Sequence, residues 1–190
     1  MLSATFWRGR GALARMFRPV RRIRHNEDGV TAVEFAMVAV PFFAFIFVII
    51  EITAVYFGTF ALENAVDQTA RMIRTGQAQS QGMTKSQFVQ TVCGKVSMFS
   101  DCVGALQVDV RSSPTFAGMA PPTALDGDGD LDPSGLDSWD LGDGGNVVLV
   151  TVFYKWGLIG QIPGIGLSNQ TDGSRLLSAM AAFRNEPFDG

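Results

Sequence analysis

Glu34 is the only charged residue between Val30 and Ile50, in the run VTAVEFAMVAVPFFAFIFVII. A carboxylate at the centre of a bilayer costs on the order of 2.5–3.5 kcal/mol, less near an interface, so it calls for a partner. Cleavage of the Gly29–Val30 peptide bond would supply one, because Val30 would acquire a positive α-amine. That amine lies four residues away in its own chain, about 6 Å along a helix axis. A neighbouring copy shifted axially by the same distance would bring its amine to this carboxylate and neutralise both. The plainer alternative is an interfacial carboxylate that snorkels to water, with Gly29 a flexible boundary ahead of the helix.

Two further clusters have chemical spacing. Cys93 and Cys102 are the only cysteines. In an oxidising compartment an even pair so close in sequence favours a disulfide, which would stabilise the fold by about 3 kcal/mol; a redox-active pair would more often be CxxC. The segment Asp126–Asp143 (DGDGDLDPSGLDSWDLGD) places Asp126, Asp128, Asp130 and Asp132 at alternate positions, with Asp137 where a calcium loop has its twelfth. Leu131 replaces the glycine such a loop needs, Pro133 occupies an apolar position, and Asp137 is shorter than the usual glutamate. The competing reading is a solvated acidic loop between two strands, and calcium is the only cofactor to consider. His25 is the only histidine. Imidazole-based nucleophilic catalysis and zinc hydrolysis are therefore not expected, and the chain reads as something other than an enzyme.

These groups need elements to position them. A helix of the length Val30–Ile50 rises about 31 Å, close to the hydrocarbon thickness of a bilayer, and it is apolar all round. Seven arginines precede it (Arg8, Arg10, Arg15, Arg18, Arg21, Arg22 and Arg24), and the first basic residue after it is Arg71. The charge bias predicts an amino end inside and the bulk of the chain outside; a nucleic-acid arm is the lesser reading of the arginines. Because the apolar character continues past Glu51 through ITAVYFGTFAL, cleavage as a secretory signal is not expected.

Beyond Glu51 the pattern turns amphipathic, with Leu62, Val66, Thr69 and Ile73 on one stripe and Asp67 and Arg71 spaced to pair on the other side. Gly76 suits the position after a helix end. One helix is predicted from Val30 to about Thr75, kinked at Pro41. Residues 77–82 read as a polar linker, and Thr84–Phe99 as a short helix burying Phe88, Val92 and Val96. Ala105–Arg111, Asn146–Trp156 and Leu176–Phe183 read as strands. The Gly-rich run Gly157–Gly166 has no lysine or helix after it and is no phosphate cradle. The expected fold is α+β: a long amino-terminal helix laid on a small three-stranded antiparallel sheet.

The segment Asp28-Gly29 followed by Thr31-Ala32-Val33-Glu34-Phe35-Ala36, then Pro41, resembles the processing site of type IV prepilins. With Ile49-Ile50-Glu51, with Ala65 through Ala70-Arg71 to Thr75-Gly76, and with Phe183-Arg184-Asn185-Glu186-Pro187-Phe188, it is similar to the TadE-like family of the tight-adherence (Flp) pilus apparatus. Pro41 sits a residue later than is usual there. The resemblance implies a type IV pilin-like organisation: residues 1–29 a cytoplasmic leader, 30–76 a long helix whose half at about 30–51 spans the bacterial inner membrane, and 77–190 a periplasmic domain. It implies a prepilin peptidase cutting between Gly29 and Val30, with Glu34 and Phe35 serving helix assembly. It further implies other pilins, the Tad inner-membrane platform and the lipid bilayer as partners, no nucleic acid, and a minor pilin or pseudopilin supporting adhesion and biofilm formation. Such families often carry a cysteine pair at this place. The rival expectation is an unprocessed, membrane-anchored periplasmic binding module.

Overall fold

The computed structural model describes residues 29–160 and 166–188, so the arginine-rich leader expected at 1–29 lies, apart from Gly29, outside the described residues. Helix α1 spans Val30–Arg74 without interruption at Pro41. Short helices α2 (Gln77–Ser80), α3 (Lys85–Cys93) and α4 (Cys102–Ala105) follow. Strands β1 (Gln107–Ser113), β2 (Val147–Trp156) and β3 (Arg175–Arg184) form one antiparallel sheet in the order β1-β2-β3. The expected α+β plan is the one observed.

The chain divides into a unit ending at Val48 and a unit from Ile49 onward. The described part of the first unit is helix alone, and most of its large apolar side chains, among them Val33, Phe35, Phe45 and Phe47, are exposed. In the second unit the predicted stripe is the buried one: Leu62, Val66, Thr69 and Ile73 are all fully buried. They join Phe88 and Val92 of α3 and Val108, Val150, Val152, Leu177 and Ala179 of the sheet in one core. β2 is buried along most of its length, as a central strand flanked on both edges should be, while β3 alternates.

Three local expectations are revised. The run after Gly76 forms a helical turn, α2, because the left-handed Gly76 (φ 77°) redirects the chain and sends Ala78 into the core. The helix expected to reach Phe99 stops at Cys93 with Gly94 as its cap; Val96 and Phe99 enter the core from turns instead. Its start is well specified, since Thr84 and Gln87 form a reciprocal capping box. Asp67 and Arg71 do not pair; among the described residues the ion pairs are Arg74–Glu186, Lys85–Asp137, Arg111–Asp109 and Lys155–Asp172. An exposed pair of that spacing gains only about 0.3–0.5 kcal/mol, too little to order two side chains.

Candidate functional site

At the amino end of α1, Gly29 has 3-10 conformation and Val30 opens the α-helix. The first turn carries no acidic side chain, so its N–H groups have no carboxylate of their own turn to donate to. A Cβ built on Gly29 would meet nothing within 4 Å. Val30, Glu34 and Phe35 are all exposed. Gly29 and Val30 thus lie on the surface of the helix end, and the Glu34 carboxylate is exposed one turn further along.

The second acid of α1, Glu51, behaves differently. It is 7% exposed, and its Oε1 accepts the backbone N–H of Ile159 at 2.9 Å. A buried carboxylate needs such donors. Two turns on, Gly58 admits the Trp156 ring, which a Cβ would approach to 3.0 Å.

The carboxyl end of α1 is closed by residues distant in sequence. Gly76 N–H returns to the Ile73 carbonyl at 3.1 Å, and the Phe188 ring occupies the space a Gly76 side chain would need. Glu186 N–H donates to the Arg74 carbonyl at 2.8 Å. Buried Asn185 donates its amide to the carbonyls of Leu141 (2.9 Å) and Asp143 (3.1 Å). The two stretches Thr75-Gly76 and Phe183–Phe188, both part of the resemblance, therefore meet in space.

Cys93 and Cys102 form a disulfide with Cα atoms 5.7 Å apart, joining the end of α3 to the start of α4. Asp101, with φ 45°, makes the turn between them.

The acidic segment has its own internal order. Asp126 Oδ1 accepts the N–H groups of Asp128 (3.0 Å) and Asp130 (2.8 Å), and Asp132 Oδ1 accepts that of Ser134 (2.9 Å). Asp130 accepts both the N–H and the hydroxyl of Thr171. These bonds hold the carboxyls of Asp130 and Asp132 below the ordinary aspartate range. Asp137 lies 3.8 Å from Lys85 Nζ. Among the described residues no three His, Cys, Asp or Glu side chains converge in a way that could hold a metal ion.

What the acidic composition concealed is a pair of apolar anchors. Leu136 is fully buried, and Trp139 packs edge-on against Phe88 while its indole N–H reaches the Met83 carbonyl at 3.2 Å. Between them the backbone pairs with β1: Val110 N–H to Ser138 carbonyl at 3.0 Å, and Asp140 N–H to Val110 carbonyl at 2.9 Å. Buried Asp109 is held by Arg111 Nε at 2.6 Å and by Ser138 N–H. Leucine and tryptophan recurring within an otherwise charged loop were the available signal for this cover.

A search of curated proteins and a search of solved structures give no match. A family model described as TadE-like protein matches residues 29–71, from the open Gly29 through the buried stripe of α1. Over residues 29–71 the chain is similar to that family, the one its sequence resembles.

Proposed function

We propose that this chain is a minor pilin-like component of a Tad/Flp pilus. On this reading it is anchored in the inner membrane by residues 30–51, with its amino terminus cytoplasmic and its domain periplasmic. A prepilin peptidase cuts between Gly29 and Val30. The new α-amine of one subunit then meets Glu34 of a neighbour as helices stack with an axial offset, while Phe35 and the surrounding apolar side chains supply lipid and helix contacts. The assembled protein supports adhesion and biofilm formation.

The observation that carries the reading is the family match beginning at Gly29, one residue before a helix whose apolar window has a mean hydropathy of 2.6. The exposure of that window supports a lipid or helical environment for it, since a water-facing helix would be polar on one side. The Asp-rich segment needs no ion in this role, although calcium binding by Asp126, Asp128, Asp130, Asp132 and Asp137 is compatible with it.

Intact mass and amino-terminal sequencing of the protein, from cells with and without the peptidase, test the proposal. A mature chain starting at Val30 only when the peptidase is present is the expected result. A full-length chain in both strains would instead indicate the unprocessed, membrane-anchored module.

A further inference from the structure

The two edges of the sheet are finished differently. On β1 the outward groups of Val110 are used: its N–H donates to the Ser138 carbonyl and its carbonyl accepts the Asp140 N–H. On β3 the Leu176 N–H points outward, to Asn169 Oδ1 at 2.7 Å, while the Asn185 N–H just past the strand turns inward to the Asn146 carbonyl at 2.8 Å. Antiparallel pairing alternates these directions, so Ser178, Met180 and Ala182 also present their N–H and carbonyl groups outward. Among the described residues no hydrogen bond reaches those six groups. Proteins usually blunt such an edge with charge, proline or a bulge. Here Leu176–Phe183 reads LLSAMAAF, its register with β2 is unbroken, and the Met180 side chain is 56% exposed.

A cleft runs between this edge and the carboxyl-terminal half of α1, with Met180–Phe183 on one side and Asp67, Ala70, Arg71 and Arg74 on the other. Arg74 is tied to Glu186. Arg71 is exposed and has no ion pair among the described residues, and the same holds for Arg184 at the end of the strand. Acidic side chains outnumber basic ones by sixteen to eight from Val30 onward. Carboxylates are therefore not scarce, yet guanidinium groups lack them where the backbone also lacks partners.

We propose that the free edge of β3 is a docking site for an extended, acidic segment of a different polypeptide, which adds a fourth strand to the sheet and sets a carboxylate against Arg71. Main-chain bonds to Ser178, Met180 and Ala182 supply the affinity, and the charge opposite Arg71 selects the segment. A second copy of this chain does not meet that requirement. Its β2 is central and its β1 edge is covered, so the strand it could offer is β3, and no acidic residue occurs from Arg175 through Asn185.

The test uses the full chain, disulfide intact, in detergent micelles, with the peptide acetyl-Ser-Thr-Val-Glu-Val-Thr-Ser-amide as probe. Millimolar peptide should slow amide hydrogen exchange at Ser178, Met180 and Ala182 at least tenfold and leave the amides of β1 unchanged. Fluorescence anisotropy of the labelled peptide should show at least fivefold weaker binding to Arg71→Gln. The same loss should follow when glutamine replaces the peptide's glutamate, and combining both changes should cost no more than either alone. Met180→Pro should abolish binding, because proline at an outward edge position removes a donor and spares the bonds to β2; a peptide N-methylated at alternate residues checks the same point with the protein unaltered. Unchanged exchange at the three amides, or full binding of the N-methylated peptide, would overturn strand addition. Binding indifferent to Arg71→Gln would overturn the acidic occupant. Slowing at the three amides that rises with protein concentration, without peptide, would assign the edge to a second copy and overturn the proposal likewise.

Discussion

Arg74 and Glu186 are joined twice: the Glu186 backbone N–H donates to the Arg74 carbonyl at 2.8 Å, and Arg74 Nε lies 3.5 Å from Glu186 Oε1. The backbone bond satisfies a carbonyl that the end of a helix leaves without an intrahelical partner. The side-chain pair is about half exposed and adds little, in the range of 0–1 kcal/mol. The junction is therefore built chiefly from backbone geometry and from the Phe188 ring over Gly76.

Gly76→Ala should accordingly destabilise the domain far more than Glu186→Gln. The left-handed φ of 77° costs an alanine about 1 kcal/mol, and its Cβ would stand 2.7 Å from the Phe188 ring. Overpacking of this kind adds roughly 1–3 kcal/mol. Urea denaturation followed by near-ultraviolet circular dichroism should show a clear drop in midpoint for Gly76→Ala and a shift equivalent to less than about 1 kcal/mol for Glu186→Gln.

The acidic segment offers a sharper contrast. Leu136→Ala removes a fully buried side chain and should cost about 2–5 kcal/mol, whereas Asp128→Asn, on an exposed carboxylate, should be near neutral. Equal effects in the same denaturation experiment would mean that the segment's charges, and not its apolar anchors, hold it to β1.

Acid should loosen the loops before it reaches the core. Asp172 is lowered to about 2, first by the Ser174 hydroxyl and backbone N–H and then by Lys155, and Asp130 is lowered by Thr171. An aspartate with a depressed native pKa contributes stability that is present above its unfolded value of about 3.9 and disappears as pH falls through the native one. Hydrogen exchange should report steady protection of residues 126–132 and 168–174 from pH 8 to 5, then a decline between about pH 4 and pH 2. Asp172→Asn should flatten part of that decline.

Glu34→Gln tests the assembly step apart from processing. Cleavage after Gly29 should persist, because the scissile bond and its surroundings are unchanged, while incorporation into sheared pili should fail. Normal incorporation of the cleaved variant would exclude pairing between the carboxylate and a neighbour's amine.

The regular elements were legible because each has a simple period. The Leu62–Val66–Thr69–Ile73 stripe, the three strands and the Gly76 stop are stated by spacing alone, and the cysteine pair closed as its spacing suggested. Contacts that depend on tertiary placement were not legible. Nothing local to Glu51 points to Ile159, 108 residues away. The acidic segment read as solvated because Leu136 and Trp139 are diluted by seven aspartates, and composition averages away isolated anchors. At the amino end of α1, Gly29, Val30 and Glu34 stand out in the sequence because a lone acid in an apolar run is rare; in the structure all three are exposed.

The grip of the domain on α1 has a mechanical consequence. Its attachments occur at Glu51, at Gly58 and at Arg74–Gly76, spread over about 37 Å of axis if the rise is regular. Tension along the axis loads these attachments in parallel, as shear, instead of peeling them apart in turn. A domain held this way would resist traction on its outer surface until all three attachments gave way together.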